Sequence, residues 1–160
     1  MNTAADFSAL YKKHAPDIFR FALYLSGSHS EAEDITSETF VRAWTSSERI
    51  EAVTVKAYLF TIARNLFLQS RRKQSRHAEL KDVLPDPQAN PHVQAQQKAE
   101  FTAVLERLQQ LPEQDRAALL MRALDGMPYE DIARTLRISL ASVKVKIHRA
   151  RLALTEVRHA

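Results

Sequence analysis

Apolar residues recur every three to four positions along most of the chain, and nowhere do they alternate for long enough to suggest a strand. Phe7, Leu10, Tyr11, His14, Ile18, Phe21, Ala22 and Leu25 keep to one helical face, and Ser26-Gly27-Ser28 ends the helix predicted over 7–25. Ser30, with Glu33 three residues on, predicts a capped second helix whose inner face is Ala32, Ile35, Thr39, Phe40 and Ala43. Trp44 follows Phe40 by four positions and reads as a core or edge anchor. A third helix is predicted over 55–74, with Leu59, Ile62, Ala63, Leu66 and Phe67 inward. Further on, Pro112 separates helices over 101–111 and 113–124, Asp125-Gly126 closes the latter, and Pro128 opens a short helix reaching position 136. Ser139 caps the last helix, over 140–157, which turns Val143, Ile147, Ala150 and Leu154 inward.

The fold class this pattern predicts is all-α, in two small helical domains. Only two glycines occur, too few for the turns of β-barrels, sandwiches or Gly-rich nucleotide folds. Pro85, Pro87 and Pro91 fall in a polar stretch that reads as a linker over 76–98, dividing a domain over 1–75 from one over 99–160. At 160 residues in all, each domain has a thin core and modest intrinsic stability is expected.

Charge is arranged in blocks. Residues 1–45 carry a net −2, 64–76 a net +5 with no acid, 77–116 a net −3, and 132–155 a net +6 with no acid. Two basic blocks, one near the end of each half, are what two nucleic-acid contact surfaces would produce. The absence of cysteine excludes disulfides, thiol nucleophiles and thiolate metal sites. With no apolar run near a membrane span and no signal-like start, a cytoplasmic protein without direct membrane contact is expected.

The stretch from Gly126 to Lys144 looks like a helix-turn-helix, with Ala133 small enough for close crossing, Ile138 plugging the turn and Val143 facing the first helix. The outer face of the last helix then offers Ser142, Lys144, Val145, His148 and Arg149 to a major groove, flanked by Arg137, Lys146 and Arg151. The plain alternative is a helical hairpin with one solvated basic side. Upstream, Tyr58, Phe60 and Phe67 interleave with Arg64, Arg71, Arg72 and Lys73, a combination suited to unstacked bases. The acids Glu31, Glu33, Asp34 and Glu38 suggest a protein-docking patch; a carboxylate metal or hydrolase site is the competing reading, but no His stands at the required spacing and the six histidines are scattered.

In sum these motifs resemble those of a bacterial sigma factor of the sigma-70 family, of the extracytoplasmic-function (ECF) group that keeps only regions 2 and 4. Ala32-Glu33-Asp34-Ile35 with the run from Glu38 to Trp44 resembles region 2.2, which implies docking on the β′ clamp helices of core RNA polymerase through Glu33, Asp34, Glu38, Phe40, Arg42 and Trp44. The run from Tyr58 to Leu66, with Arg71-Arg72, resembles the segment that melts and reads the minus-ten element, which implies roles for Lys56, Tyr58, Arg64, Asn65, Arg71 and Arg72, with flipped bases held near the loop over 46–54. Leu111 to Arg116 and the helix-turn-helix resemble region 4, which implies minus-thirty-five contacts by Arg137, Ser142, Lys144, Val145, Lys146, His148 and Arg149, and a second contact with the β flap. Departures from the family pattern are Ser37 for Gln, Gln69 for Asp, Arg137 for Gly, and Leu140-Ala141-Ser142 for Glu-Gly-Thr. A non-glycine at position 137 is expected to need a positive φ.

The resemblance implies a promoter-specificity subunit that performs no covalent chemistry, needs no metal or cofactor and answers to an anti-sigma factor. A stand-alone helix-turn-helix activator and a helical enzyme built on the Glu31 to Glu38 carboxylates are the competing classes.

Overall fold

A computed structural model describes residues 4–45, 54–77 and 95–158. The loop over 46–53 and the proline-containing stretch over 78–94 lie outside the described residues. Seven helices make up the rest: α1 (Ala4–Ser26), α2 (His29–Thr45), α3 (Val55–His77), α4 (Ala95–Gln109), α5 (Glu113–Asp125), α6 (Tyr129–Leu136) and α7 (Leu140–Arg158). Helices α1 to α3 pack mutually in the first half, and α5 to α7 in the second.

Local chemistry accounts for most helix ends. Gly27, at φ +74°, releases α1 into a tight turn that no side chain could follow without strain. The cap of α2 lies two residues earlier than the spacing of Ser30 and Glu33 predicts: Ser28 Oγ accepts the Glu31 amide at 3.2 Å, and Ser28, not Ser30, opens the helix. Glu33 is released from capping and sits 3.2 Å from His29 Nδ1. Thr54 Oγ1 accepts the Ala57 amide at the start of α3, and Ser139 Oγ accepts the Ser142 amide at the start of α7. Between α6 and α7, Arg137 takes the left-handed conformation at φ 58° and ψ 46°. The amides of Arg137 and Ile138 return to the carbonyls of Arg134 and Ala133, which closes α6 in a Schellman turn. Placing a non-glycine there costs about 1 kcal/mol.

Most of the inward faces read from the sequence form the core, but Tyr11 of the α1 face is 43% exposed, and Phe7, Leu10, Ala43, Leu66 and Leu154 are only partly buried at its edge. Ile18, Phe21, Leu25, Phe40, Leu59, Phe60 and Phe67 are fully buried in the first half, as are Met121, Ile132, Val143 and Ile147 in the second. Phe21 and Phe60 meet edge to face at 4.6 Å. The thin separate cores that the length suggests are thickened by contact between the halves, because α1 packs on α4 and α5 while α3 packs on α6. Gln109 reaches from the end of α4 to donate to the Tyr24 carbonyl at 3.0 Å, and its side chain fills the space beside Gly27 where a Cβ would stand.

His14 is buried on α1, with Nδ1 unpartnered. Burial, then Lys13 and Lys56, hold its pKa below the ordinary imidazole value, with Asp17 opposing. The folded state therefore disfavours protonated His14, so stability present above pH 6.5 declines as the pH falls through that value. The urea midpoint should drop between pH 7.5 and pH 5.5, and His14→Gln should remove much of that drop. Equal drops in the two proteins would show that His14 is not its source.

Candidate functional site

Three surfaces emerge from the packing. On α2, a ridge turns to water opposite the buried Ala32, Ile35, Thr36, Thr39 and Phe40, so that Glu33, Asp34, Ser37, Glu38, Val41 and Arg42 are all exposed. A shallow groove of about 470 Å³ runs between this ridge and α3, lined by Glu31, Asp34, Glu38, Val41, Leu66 and Ser70 among others. Glu38 pairs with Arg42 at 3.2 Å across one helical turn, a solvated contact that contributes only tenths of a kcal/mol. Phe40 is not on this surface. It is 1% exposed and meets Tyr11 edge to face at 5.0 Å, so it seats α2 on α1 and cannot touch a partner directly. Trp44 is half-buried, 5.0 Å from Phe7 in the same aromatic cluster.

The second surface belongs to α3. Asn65, Arg72 and Lys73 are exposed, and Tyr58 is half-buried. The other cations read from this segment already have partners. Arg64 makes a bidentate pair with Glu113 of α5, Nε to Oε1 at 2.6 Å and Nη2 to Oε2 at 2.7 Å, across 49 residues of chain. Lys56 lies 3.3 Å from Asp125 at the other end of α5 and 3.6 Å from Asp17. The Asp125 side chain is 2% exposed, and burial pushes its carboxyl up from the usual range against the pull of Lys56. Arg71 donates to the Ser26 carbonyl at 2.7 Å and stacks over Phe67, which fixes the end of α1 against α3.

Helix α7 carries the third surface. Val143, Ile147 and Ala150 bury one face, leaving Lys144, Val145, His148 and Arg149 exposed and Ser142 and Lys146 half-buried, with Arg137 exposed in the preceding turn. Arg149 is held from below by Asp115 of α5, Nε to Oδ2 at 2.7 Å and Nη2 to Oδ1 at 2.9 Å. Lys146 Nζ stands 3.8 Å from the same carboxylate.

Helix α5 lies where the sequence predicts it, but the pairing of its charged side chains with the basic helices is what the sequence reading missed. Its carboxylates Glu113, Asp115 and Asp125 meet cations of α3 and α7, and its Arg116 is buried beneath α4. Arg116 Nη1 donates to the carbonyls of Leu108, Gln109 and Leu111 within 3.2 Å, and its guanidinium lies over the Phe67 ring at 5.7 Å. Burial lowers the Arg116 pKa, with Glu113 opposing. The alternation of acidic and basic blocks was the available signal, although it does not pair individual residues. Among the described residues, no three His, Asp or Glu side chains converge as a metal-ligand set, and no helix is long and apolar enough to cross a membrane.

Residues 10–77 match the family model for Sigma-70 region 2, and residues 101–154 match that for Sigma-70, region 4. The ECF RNA polymerase sigma factor SigE of Mycolicibacterium smegmatis is 35% identical over 92% of this chain, which spans 59% of that relative's length. The corresponding factor SigL of Mycobacterium tuberculosis is 34% identical over 94% of this chain and 88% of its own. Among solved structures, the sigma factor RpoE in complex with the anti-sigma factor NepR from Bartonella quintana aligns over 97% of this chain and 98% of the RpoE chain, at a TM-score of 0.74 and 28% identity. With both regions matched in order, and with SigL alike at 34% identity over 88% of its length, the chain belongs to the sigma-70 family as an ECF RNA polymerase sigma factor, a group that directs promoter-specific transcription initiation.

Proposed function

We propose that this factor docks on the β′ clamp helices of core polymerase through the exposed α2 ridge, with Glu33, Asp34, Glu38 and Arg42 as its charged contacts and Trp44 at the edge. Phe40 supports the ridge from beneath. Helix α3 then engages the minus-ten element, with Tyr58, Asn65 and Arg72 directly available and Lys56, Arg64 and Arg71 becoming so once their present partners let go. Helix α7 reads the minus-thirty-five element through Arg137, Ser142, Lys144, Val145, Lys146, His148 and Arg149, while the second half also meets the β flap. The chain supplies recognition and no covalent chemistry, and acts in the cytoplasm, where the polymerase is. An anti-sigma factor is its expected regulator, since a structural relative is described bound to one.

One observation carries the reading: the two basic helices sit on separate halves joined by a connection long enough to spread them. Elements twenty-five base pairs apart are roughly 85 Å apart along DNA at 3.4 Å per step. A folded chain of this size has a radius of gyration of roughly 15 Å, so the packed arrangement cannot occupy both elements. The eighteen peptide links from His77 to Ala95 reach about 60 Å when extended, which, added to the halves themselves, suffices. Engagement therefore requires the halves to part, and the Arg64–Glu113 and Lys56–Asp125 pairs to exchange their carboxylates for phosphates.

Two measurements test this. Asp34→Arg should weaken binding to core polymerase at least tenfold in a titration of labelled factor; unchanged affinity would remove the docking assignment. Glu113→Lys replaces the closing pair with like charges, so energy transfer between dyes on Thr45→Cys and Glu130→Cys should fall at low salt. Its apparent affinity for core polymerase should rise, because less closure has to be undone. Unchanged transfer together with unchanged affinity would contradict an opening step governed by this contact.

A further inference from the structure

Among the described residues, Asp115 is the most deeply buried carboxylate in contact with α7. Its side chain is 1% exposed, whereas that of Arg149 is 57% exposed. It lies too deep to reach DNA, yet both its oxygens are committed to one guanidinium, with Lys146 at longer range. A guanidinium has two edges able to donate in parallel: the side edge, Nε with one Nη, and the end edge, formed by the two Nη atoms. Asp115 occupies the side edge of Arg149, so the end edge, with Nη1 uncommitted among the described residues, is left free on a side chain that is 57% exposed. That edge matches the O6 and N7 acceptors of guanine in a major groove.

We propose that Asp115 is a positioning residue for specificity: it clamps Arg149 by the side edge so that the end edge reads a single guanine of the upstream promoter element. This rests on the assignment of α7 as the DNA-reading helix and goes beyond it. An arginine that serves only to neutralise phosphate gains little from fixed orientation, because phosphate oxygens accept from many directions. Base reading gains from it directly, since the ordering of a long side chain is completed before binding. The position of Asp115 on α5, whose buried face holds Ala117, Ala118 and Met121, gives the clamp a rigid base.

The test uses the full-length factor assembled with core polymerase and a duplex promoter library randomised across the upstream element. In the wild-type selection one position should demand guanine, and Arg149→Ala should abolish that demand. Asp115→Asn should lower the guanine preference at that same position about tenfold, leave the other positions unchanged, and add nothing to Arg149→Ala in the double variant. Affinity for non-promoter DNA should hold or rise in Asp115→Asn, since a negative charge is lost. A uniform loss across all positions would make Asp115 merely structural and overturn the proposal, as would an unaltered guanine preference in Asp115→Asn. Should Asp115→Asn fail to fold, Arg149→Lys decides, because a phosphate contact tolerates lysine whereas a clamped end edge does not, and retention of the guanine preference would refute the clamp. If Lys144→Ala and Arg149→Ala both leave upstream selection intact in a holoenzyme that still forms, the reading of α7 itself has failed, a result distinct from either outcome at Asp115.

Discussion

Helix α5 cannot bury its carboxylates alone, and much of the electrostatic architecture follows from that constraint. Removing an ionised carboxylate from water is costly unless a cation and hydrogen-bond donors meet it. Glu113 and Asp125 find theirs on α3, in Arg64 and Lys56, and Asp115 finds its own on α7, in Arg149 and Lys146. Arg116 of the same helix does the converse service, bringing donors to the last two carbonyls of α4 and to that of Leu111 in the turn beyond it. A single thirteen-residue helix thus fixes cations belonging to both basic blocks of the chain.

These contacts fall into two kinds. Asp115 meets its cations within one half of the molecule, so they persist whether the halves are together or apart, and they leave the outer edge of Arg149 free. Glu113 and Asp125 reach across to the other half, so their contacts exist only while the halves are packed. The cross-half pairs compete with phosphate for the same cations, and polymerase or DNA would have to outbid them together with the buried contacts around Gln109, Gly27 and Phe67. The halves are thereby held firmly enough to order the pairs, through contacts that are largely polar at their edges and open to exchange.

The helices, the polar connection and the inward faces were legible because they depend on local periodicity, which repeats within a turn or two. The tight turn at Arg137 was legible only through the family resemblance, whose pattern has Gly there, and the cost of its positive φ is met by the Schellman hydrogen bonds on either side. The cap of α2 was misplaced by two residues because Ser28 and Ser30 each have a glutamate three positions on, and the pattern alone does not rank them. Phe40 sits among surface residues in the resemblance, yet its place on the inner face of α2, which the periodicity gave, is where its side chain lies. What the sequence did not reveal is pairing at a distance: Arg64 with Glu113 and Arg149 with Asp115 are separated by 49 and 34 residues. A run of like charges reports a surface of one sign, but which carboxylate each cation meets is decided only by packing.

Run-off transcription by sigma-free core polymerase, on a genomic library from the source organism, tests the central claim most directly. With this chain added, discrete start sites absent from core alone are predicted, each preceded by the same pair of spaced sequence elements. Transcripts indistinguishable from those of core alone, together with no complex between the chain and core polymerase on gel filtration, would contradict it.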